Sequence, residues 1–543
     1  MKIKEHDLRQ LNEERLQTLQ DKDPAALLQL TNHLLDDLKE ARERLNQNPS
    51  NSSCPSGSQG PWFRVGDEDS KEDDEEKADN SSGKKPIASD SASSGKEASG
   101  SGCSEKVKSD SNEQSKKKTG KGRPSKPKNK PGKQPGAPGF GRTKELFINE
   151  TLHHYPDQCI ICSDPLNDES AIAHNGFYTI ELILGGPEKP GLTLWVTKHI
   201  YYSIACACQH ETQEMPHRAP EDKGEWKGVE LTEWRLAGPG LCAYITWLHF
   251  RMRLPVRKIR EFLQESFGLS LCDGTIQKCI METARASDPV LQLILASLLD
   301  EALMHADETP HKEAGAPLWL WTFVTVSTVL FVIGRRTKEV WNTIGLLYAG
   351  WLMSDGYSVY RDHKKRLRCW AHLIRKAQGL ADTFTPWIQG YGIQILEIMD
   401  TLMDGIYQAR EGPGSSIKAK FQDEMGRLKA LCEKVARSNH KKAHELGREF
   451  LNDWDAIFRV LDYPKLPLTN NAAEQMLRHW VIWRRISQGT RTKKGSKALA
   501  LIASVIETCR QRKASPLRYL TRVIESQRQG LDLPELPPIP VGV

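Results

Sequence analysis

The sequence predicts a multidomain protein of mixed α+β and α/β class. Its parts are an N-terminal coiled coil, a disordered basic linker, a small β domain with cysteine pairs, a helix-turn-helix-like region and an α/β core with a helical insertion. Three observations carry this: leucines spaced by four and three near the start, a polar stretch over residues 48–145 almost free of aliphatic side chains, and β-branched apolar runs alternating with helix-periodic ones beyond residue 295. At 543 residues, 38% of them hydrophobic, the chain can support several cores. Its net charge of +6 hides a segregation, acidic from Asp67 to Glu76 and lysine-rich from Lys116 to Lys133. Segregated basic charge suggests nucleic acid as a partner. No stretch reaches the roughly 18 consecutive apolar residues of a membrane span, residues 318–333 being broken by Thr322, Thr325, Ser327 and Thr328. The opening MKIKEHDLRQL lacks a signal-peptide core. The expectation is a soluble intracellular protein with no membrane partner, whose twelve scattered cysteines are reduced thiols.

Residues 1–47 place Leu27, Thr31, Leu34, Leu38, Ala41 and Leu45 on one seam, with Pro24 separating an earlier set of Leu8, Leu11, Leu16 and Leu19. The seam predicts self-association, against the alternative of helices packed on their own chain. Residues 48–145 cannot bury enough apolar surface to offset the entropy of ordering, which predicts a disordered linker. Within it Lys126, Lys128 and Lys130 stand on a Pro/Gly chain suited to phosphate contacts, and Arg123 in Gly-Arg-Pro suits an A·T minor groove.

Residues 146–215 hold Cys159-x-x-Cys162 and, after a β-rich interval, Cys206-x-Cys208. Two short-spaced thiolate pairs across a hairpin-sized insert can close one structural Zn²⁺ site, a zinc-ribbon-like arrangement, with His210 as a substitute for one member of the shorter second pair. Residues 225–290 read as three helices, the middle one ended by Gly268 and the next capped by Asp273. Arg251, Arg253, Arg257, Lys258 and Arg260 stand nearby, and Arg257 and Arg260 are candidate DNA contacts.

Residues 295–510 carry three acids in characteristic settings. Asp307 follows the strand-like Ala302 to Ala306, with Pro310 expected to stop the strand; Asp355 follows the strand-like Trp351 to Ser354, with Gly356 permitting a turn. Glu474 lies three residues beyond Asn471, in the first turn of a helix with apolar Met476, Leu477, Trp480 and Val481, where a capping-box role competes with a functional one. Residues 318–336 supply two further strands, residues 339–350 a helix, and residues 375–465 a helical insertion; residues 511–543 read as a tail. Converging carboxylates are what two Mg²⁺ ions need to clamp the attacking and leaving oxygens of a phosphodiester. Cys369 and His372 could ligate metal, but a lone pair of this kind reads rather as packing plus a polar group near the acids. Arg478, Arg484, Arg485, Arg491, Lys493, Lys494 and Lys497 form a basic face and stretch downstream of Glu474.

The segments HADETP, GWLMSDGYSVY, RCWAHLIRKA, TNNAAEQMLRHWVIWRR and SVIETCRQRKASPLRYL resemble, in that order, successive blocks of the insertion-sequence 66 family of DDE transposases. The resemblance implies a ribonuclease-H-like catalytic core in which Asp307, Asp355 and Glu474 bind two Mg²⁺. The implied activity is metal-dependent cleavage of insertion-sequence ends and strand transfer into target DNA, in the bacterial cytoplasm at the nucleoid. The implied partners are DNA, a second copy of the chain and accessory proteins of the same element. A catalytically silent DNA-binding derivative is the alternative. The chain departs from the family pattern at Cys206-x-Cys208 and at RISQGTRTKKGS, where an aromatic-rich block is expected.

Overall fold

The computed structural model describes residues 20–45 and 147–540, apart from residues 187 and 189. The linker of residues 48–145, with Lys126, Lys128 and Lys130, lies outside the described residues, as do residues 1–19. The N-terminal seam is a single helix, α1 (Pro24–Leu45), opened by Asp23, whose carboxylate accepts from the Ala26 N–H at 3.0 Å. Leu28, Leu35 and Leu38 stand exposed on it.

The first sheet is built from β1 (Glu150–His154), β2 (Ile172–Leu184), β3 (Leu192–Ala205) and β4 (Glu211–Gln213). The long β2–β3 hairpin is antiparallel, with β1 parallel and β4 antiparallel to β3. Four helices follow: α2 (Pro239–Phe250), α3 (Val256–Phe267), α4 (Asp273–Ser287) and α5 (Val290–Leu299). Gly268 closes α3 in the left-handed conformation at φ 61°, as expected of a glycine there. Asp273 is not the cap of α4 but its first residue, after Cys272; its carboxylate takes Arg260 at 3.0 Å and Arg257 at 3.9 Å instead.

The second sheet comprises β5 (Leu303–Glu313), β6 (Ala316–Val324), β7 (Val329–Gly334), β8 (Trp351–Ser354) and β9 (Arg366–Arg368), with α6 (Lys338–Gly345) between β7 and β8. Its order is β7-β6-β5-β8-β9: antiparallel through β7, β6 and β5, then parallel through β8 and β9. Pro310 does not stop β5, which runs on to Glu313 with Pro310 opposite Trp319 of β6. Pairing with β8 ends at His305, so beyond that point a residue without an N–H costs no ladder bond on the β8 side. The outer edge of β7 is satisfied by side chains, Val329 N–H donating to Thr508 Oγ1 at 3.1 Å and Phe331 N–H to Ser504 Oγ at 2.8 Å.

Between the second and third acid, α7 (Trp370–Ala381), α8 (Pro386–Glu411), α9 (Gln422–Val435), α10 (Lys441–Asn452) and α11 (Trp454–Phe458) gather around a core of their own that includes Trp370, Leu402, Leu428 and Phe450. Then come α12 (Asn471–Ser487), lying across β5 and β6, and α13 (Lys493–Gln511), lying against β7. Residues 516–529 are not a bare tail. Ser515 caps α14 (Pro516–Gln529), and Tyr519, Leu520, Val523 and Ile524 bury one face of it against α2 and α4. Arg528 closes that contact with a buried bidentate pair to Glu282 at 2.9 and 3.0 Å. Among the described residues the cysteines are free and no helix is long and apolar enough to cross a membrane.

Candidate active site and metal centres

The three acids come together where the parallel pairing of β5 and β8 ends, in the interior of the second sheet. Asp307 sits within β5 and Asp355 directly after β8; the register His305↔Met353, carried two residues on, brings them side by side. Glu474 enters from the first turn of α12. All three line one cleft of about 1740 Å³, together with Arg478, Arg484 and Arg485. Burial, then the neighbouring charge of Asp355, pushes the Asp307 carboxyl well above the usual carboxylate range; burial raises Glu474 against the pull of Arg375.

Asn470, not Asn471, flanks the start of α12, and its side chain makes no capping bond. It is fully buried and ties three elements together. Its Nδ2 donates to the Ala306 carbonyl of β5 at 2.9 Å, its backbone N–H to Cys369 Sγ at 3.2 Å, and its Oδ1 lies 3.2 Å from His305 Nδ1. Glu474 is therefore aimed by a residue bonded to the strand that carries Asp307. Asp355 has its own support. Its Oδ1 accepts from Tyr357 N–H at 2.9 Å, and the Tyr357 ring stacks under the Arg336 guanidinium at 4.0 Å. Arg336 in turn grips Glu308 at 2.7 and 3.0 Å, and Tyr360 donates to the other Glu308 oxygen at 2.7 Å. Burial, then Asp355, pushes Glu308 up to about 7. Gly356 is needed for close approach rather than for an unusual turn: a Cβ there would meet the paired Arg368 and Glu449 side chains.

Strand β9 and the start of the insertion lend basic groups that sequence reading passed over. Arg368, Arg375 and Lys376 line the cleft, and Arg375 Nη2 stands 3.6 Å from Glu474 Oε1. Buried Asp453 holds Arg361, Arg366 and Arg368 at 3.1, 2.5 and 3.5 Å. The spacing of Arg366 and Arg368 across one residue, both on β9, was the available signal. His372 is close to the acids, with Nε2 3.7 Å from Glu474 Oε1. Other expected cations are already engaged. Lys497 pairs with Glu225 and Asp288 at 2.7 and 2.8 Å, Lys494 donates to the Lys227 carbonyl at 2.7 Å, and Arg251 pairs with buried Glu507 at 3.2 Å. Lys493 is exposed and outside the cleft.

A second cluster lies at one end of the first sheet. Cys159, Cys162, Cys206 and Cys208 bring their sulfurs within 4.8 Å of one another, with Cys159 to Cys208 at 3.6 Å and Cys162 to Cys206 at 3.4 Å. Each pair rides a tight turn containing one left-handed residue, Ser163 at φ 61° and Gln209 at φ 66°. Such turns let a one-residue spacing reach the same point as a two-residue one. The His210 side chain is not part of this cluster; its backbone carbonyl accepts from Cys206 N–H at 2.8 Å. Four thiols at this separation suit tetrahedral Zn²⁺.

Comparison with known proteins adds the context. Residues 235–498 match the sequence model described as Transposase IS66 family, a span that contains all three acids. The chain is similar to three uncharacterized proteins of Sinorhizobium fredii. It is 27% identical to y4jO over 50% of this chain and 82% of that protein. It is 24% identical to y4qI over 57% and 63% of the two chains, and 23% identical to y4hP over 53% and 59%. The chain thus spans less than two thirds of the length of y4qI and y4hP.

Proposed function

We propose, from the premise that residues 235–498 of this chain belong to the IS66 family of transposases, that it is a DDE-type transposase acting on the ends of its own element. In this reading Asp307, Asp355 and Glu474 hold two Mg²⁺, and the second sheet is a ribonuclease-H-like core. One observation carries the proposal: three acids from separate stretches of sequence line one cleft, two of them just beyond the end of the parallel β5–β8 pairing in a sheet ordered β7-β6-β5-β8-β9. Their donor set is all hard oxygen, and Glu474 Oε1 is buried without a hydrogen-bond partner, which fits a divalent cation.

The bound ions supply charge neutralisation at the attacking and leaving oxygens of a phosphodiester. The chain supplies the rest. Asn470 and the Glu308–Arg336–Tyr357 chain hold the acids in place before DNA arrives. Arg478, Arg484 and Arg485 on α12, with Arg375 and Lys376 on α7, present cations to the DNA backbone along the cleft, where contacts position without reading sequence. Arg257 and Arg260, half-engaged by Asp273, lie on α3, in the region read as a DNA-contacting module. The four-cysteine cluster carries one structural Zn²⁺. Self-association through α1 would pair two DNA ends at the nucleoid, with accessory proteins of the element as further partners.

The test is to incubate the full chain with duplex DNA carrying the ends of its own element and Mg²⁺. New 3′-hydroxyl ends and their joining to a second duplex are expected, and both should vanish with chelation. Binding of the ends with no nick under any divalent metal would mark a silent DNA-binding derivative instead.

A further inference from the structure

Cys369 stands at the start of α7, His372 within its first turn, and Glu474 opposite them in the first turn of α12. One ligand atom from each lies within 4.8 Å of the other two. Two of these side chains carry buried polar atoms without a hydrogen-bond partner, His372 Nδ1 and Glu474 Oε1. Buried polar atoms left in this state on two neighbouring side chains favour an occupant that can engage them. Burial raises the Cys369 thiol, against which its Sγ receives the Asn470 backbone N–H at 3.2 Å, a donor that favours negative charge on sulfur.

We propose that Cys369, His372 and Glu474 form a binding site for a thiophilic divalent cation of the zinc type, and that its occupancy excludes the Mg²⁺-bound state by withdrawing Glu474. A thiolate, an imidazole and a carboxylate are the donors that Zn²⁺ prefers, with a fourth position left open, and they are a poor set for Mg²⁺. In a tetrahedral site with bonds of about 2.0–2.3 Å the donors stand about 3.3–3.8 Å apart. His372 Nε2 and Glu474 Oε1, at 3.7 Å, already meet that spacing, and the cluster as a whole needs to contract by only about 1 Å. Arg375, 3.6 Å from the same oxygen, has to swing aside. The inhibitory half of this proposal rests on the reading of Glu474 as a Mg²⁺ ligand; the binding half does not.

The full chain, with its four-cysteine cluster already loaded, is titrated with Zn²⁺ against a chromophoric chelator, and nicking in Mg²⁺ is followed in parallel. The wild type should take up one further Zn²⁺ per chain and lose its Mg²⁺-dependent nicking as it does so. Cys369→Ser and His372→Gln should each weaken that further ion by about 100-fold or more while keeping the first, and nicking by each, referred to its own Mg²⁺-only rate, should resist zinc. Circular dichroism identifies a variant that has failed to fold; the second then decides. No further zinc taken up by the loaded wild type, or an unchanged affinity for that further ion in the folded variants, overturns the proposal. A second zinc lost in the variants, with no nicking by any form, upholds the site and overturns the transposase reading instead.

Discussion

Asn470 shows how a single amide can hold three elements in relation. Its side chain bonds a strand carbonyl, its backbone N–H bonds a cysteine sulfur, and the helix bearing Glu474 begins at the next residue. Asn470→Ala leaves the Ala306 carbonyl buried without that partner, at about 2 kcal/mol, and frees the start of α12. The expected outcome is a nicking rate reduced at least about tenfold with DNA affinity little changed, read by single-turnover kinetics. An unaltered rate would show that α12 is held in place elsewhere. Nothing local in TNNAAEQ marks this residue, because its partners lie far away along the chain. Asp355 was legible for the opposite reason: a short apolar strand followed by Gly is a local pattern. Gly356 itself answers to Arg368 and Glu449, which no turn rule anticipates.

At the scale of elements, β5 shows where sequence rules give way to pairing. Pro310 reads as a stop, yet the strand continues because β8 has ended before it. The extension brings His311 beneath the turn after α12, with Nε2 3.0 Å from Thr490 Oγ1. Burial, then the nearby Arg484 charge, pushes His311 down to about 4 from an ordinary 6.5. A folded-state value below the unfolded one means that the unfolded chain binds the proton more readily. Stability is therefore complete above pH 6.5 and is lost as the pH falls towards 4, by up to about 3 kcal/mol from this residue. Chemical denaturation at pH 7 and pH 4.5 should show His311→Gln losing less stability than the parent between the two. Equal losses would remove His311 as the cause. In the basic stretch after α12, Lys497 and Lys494 have partners in Glu225, Asp288 and the Lys227 carbonyl, which arrive from other elements and which no local pattern announces.

For the molecule as a whole, the proposed cleavage of two ends would call for two copies, and α1 is the surface proposed to pair them. Leu38 of the predicted seam is exposed on this helix and Leu34 is half-buried, with Leu28 and Leu35 exposed beside them. Leu34→Lys with Leu38→Lys puts two charges into that seam and should shift the protein towards monomer in sedimentation, with paired-end products falling and single-end binding kept. Retention of the parent's mass would place the assembly contact elsewhere. The broad class, helical and sheet regions in a mixed α/β chain, was readable from hydrophobic period alone. The strand order of the second sheet was not, because pairing between β5 and β8 depends on an intervening helix and on contacts no window of sequence contains.

The central claim is that three acids act as one metal-holding unit. It is tested most directly by comparing Asp307→Asn, Asp355→Asn and Glu474→Gln with the parent in two measurements on the same preparation, Mg²⁺-dependent nicking of an element end and binding of that end in Ca²⁺. Each variant should lose nicking by about 1,000-fold or more, because a near-isosteric amide removes a ligand without disturbing packing, while binding stays within a few-fold of the parent. Substantial nicking by any one of the three would contradict the account.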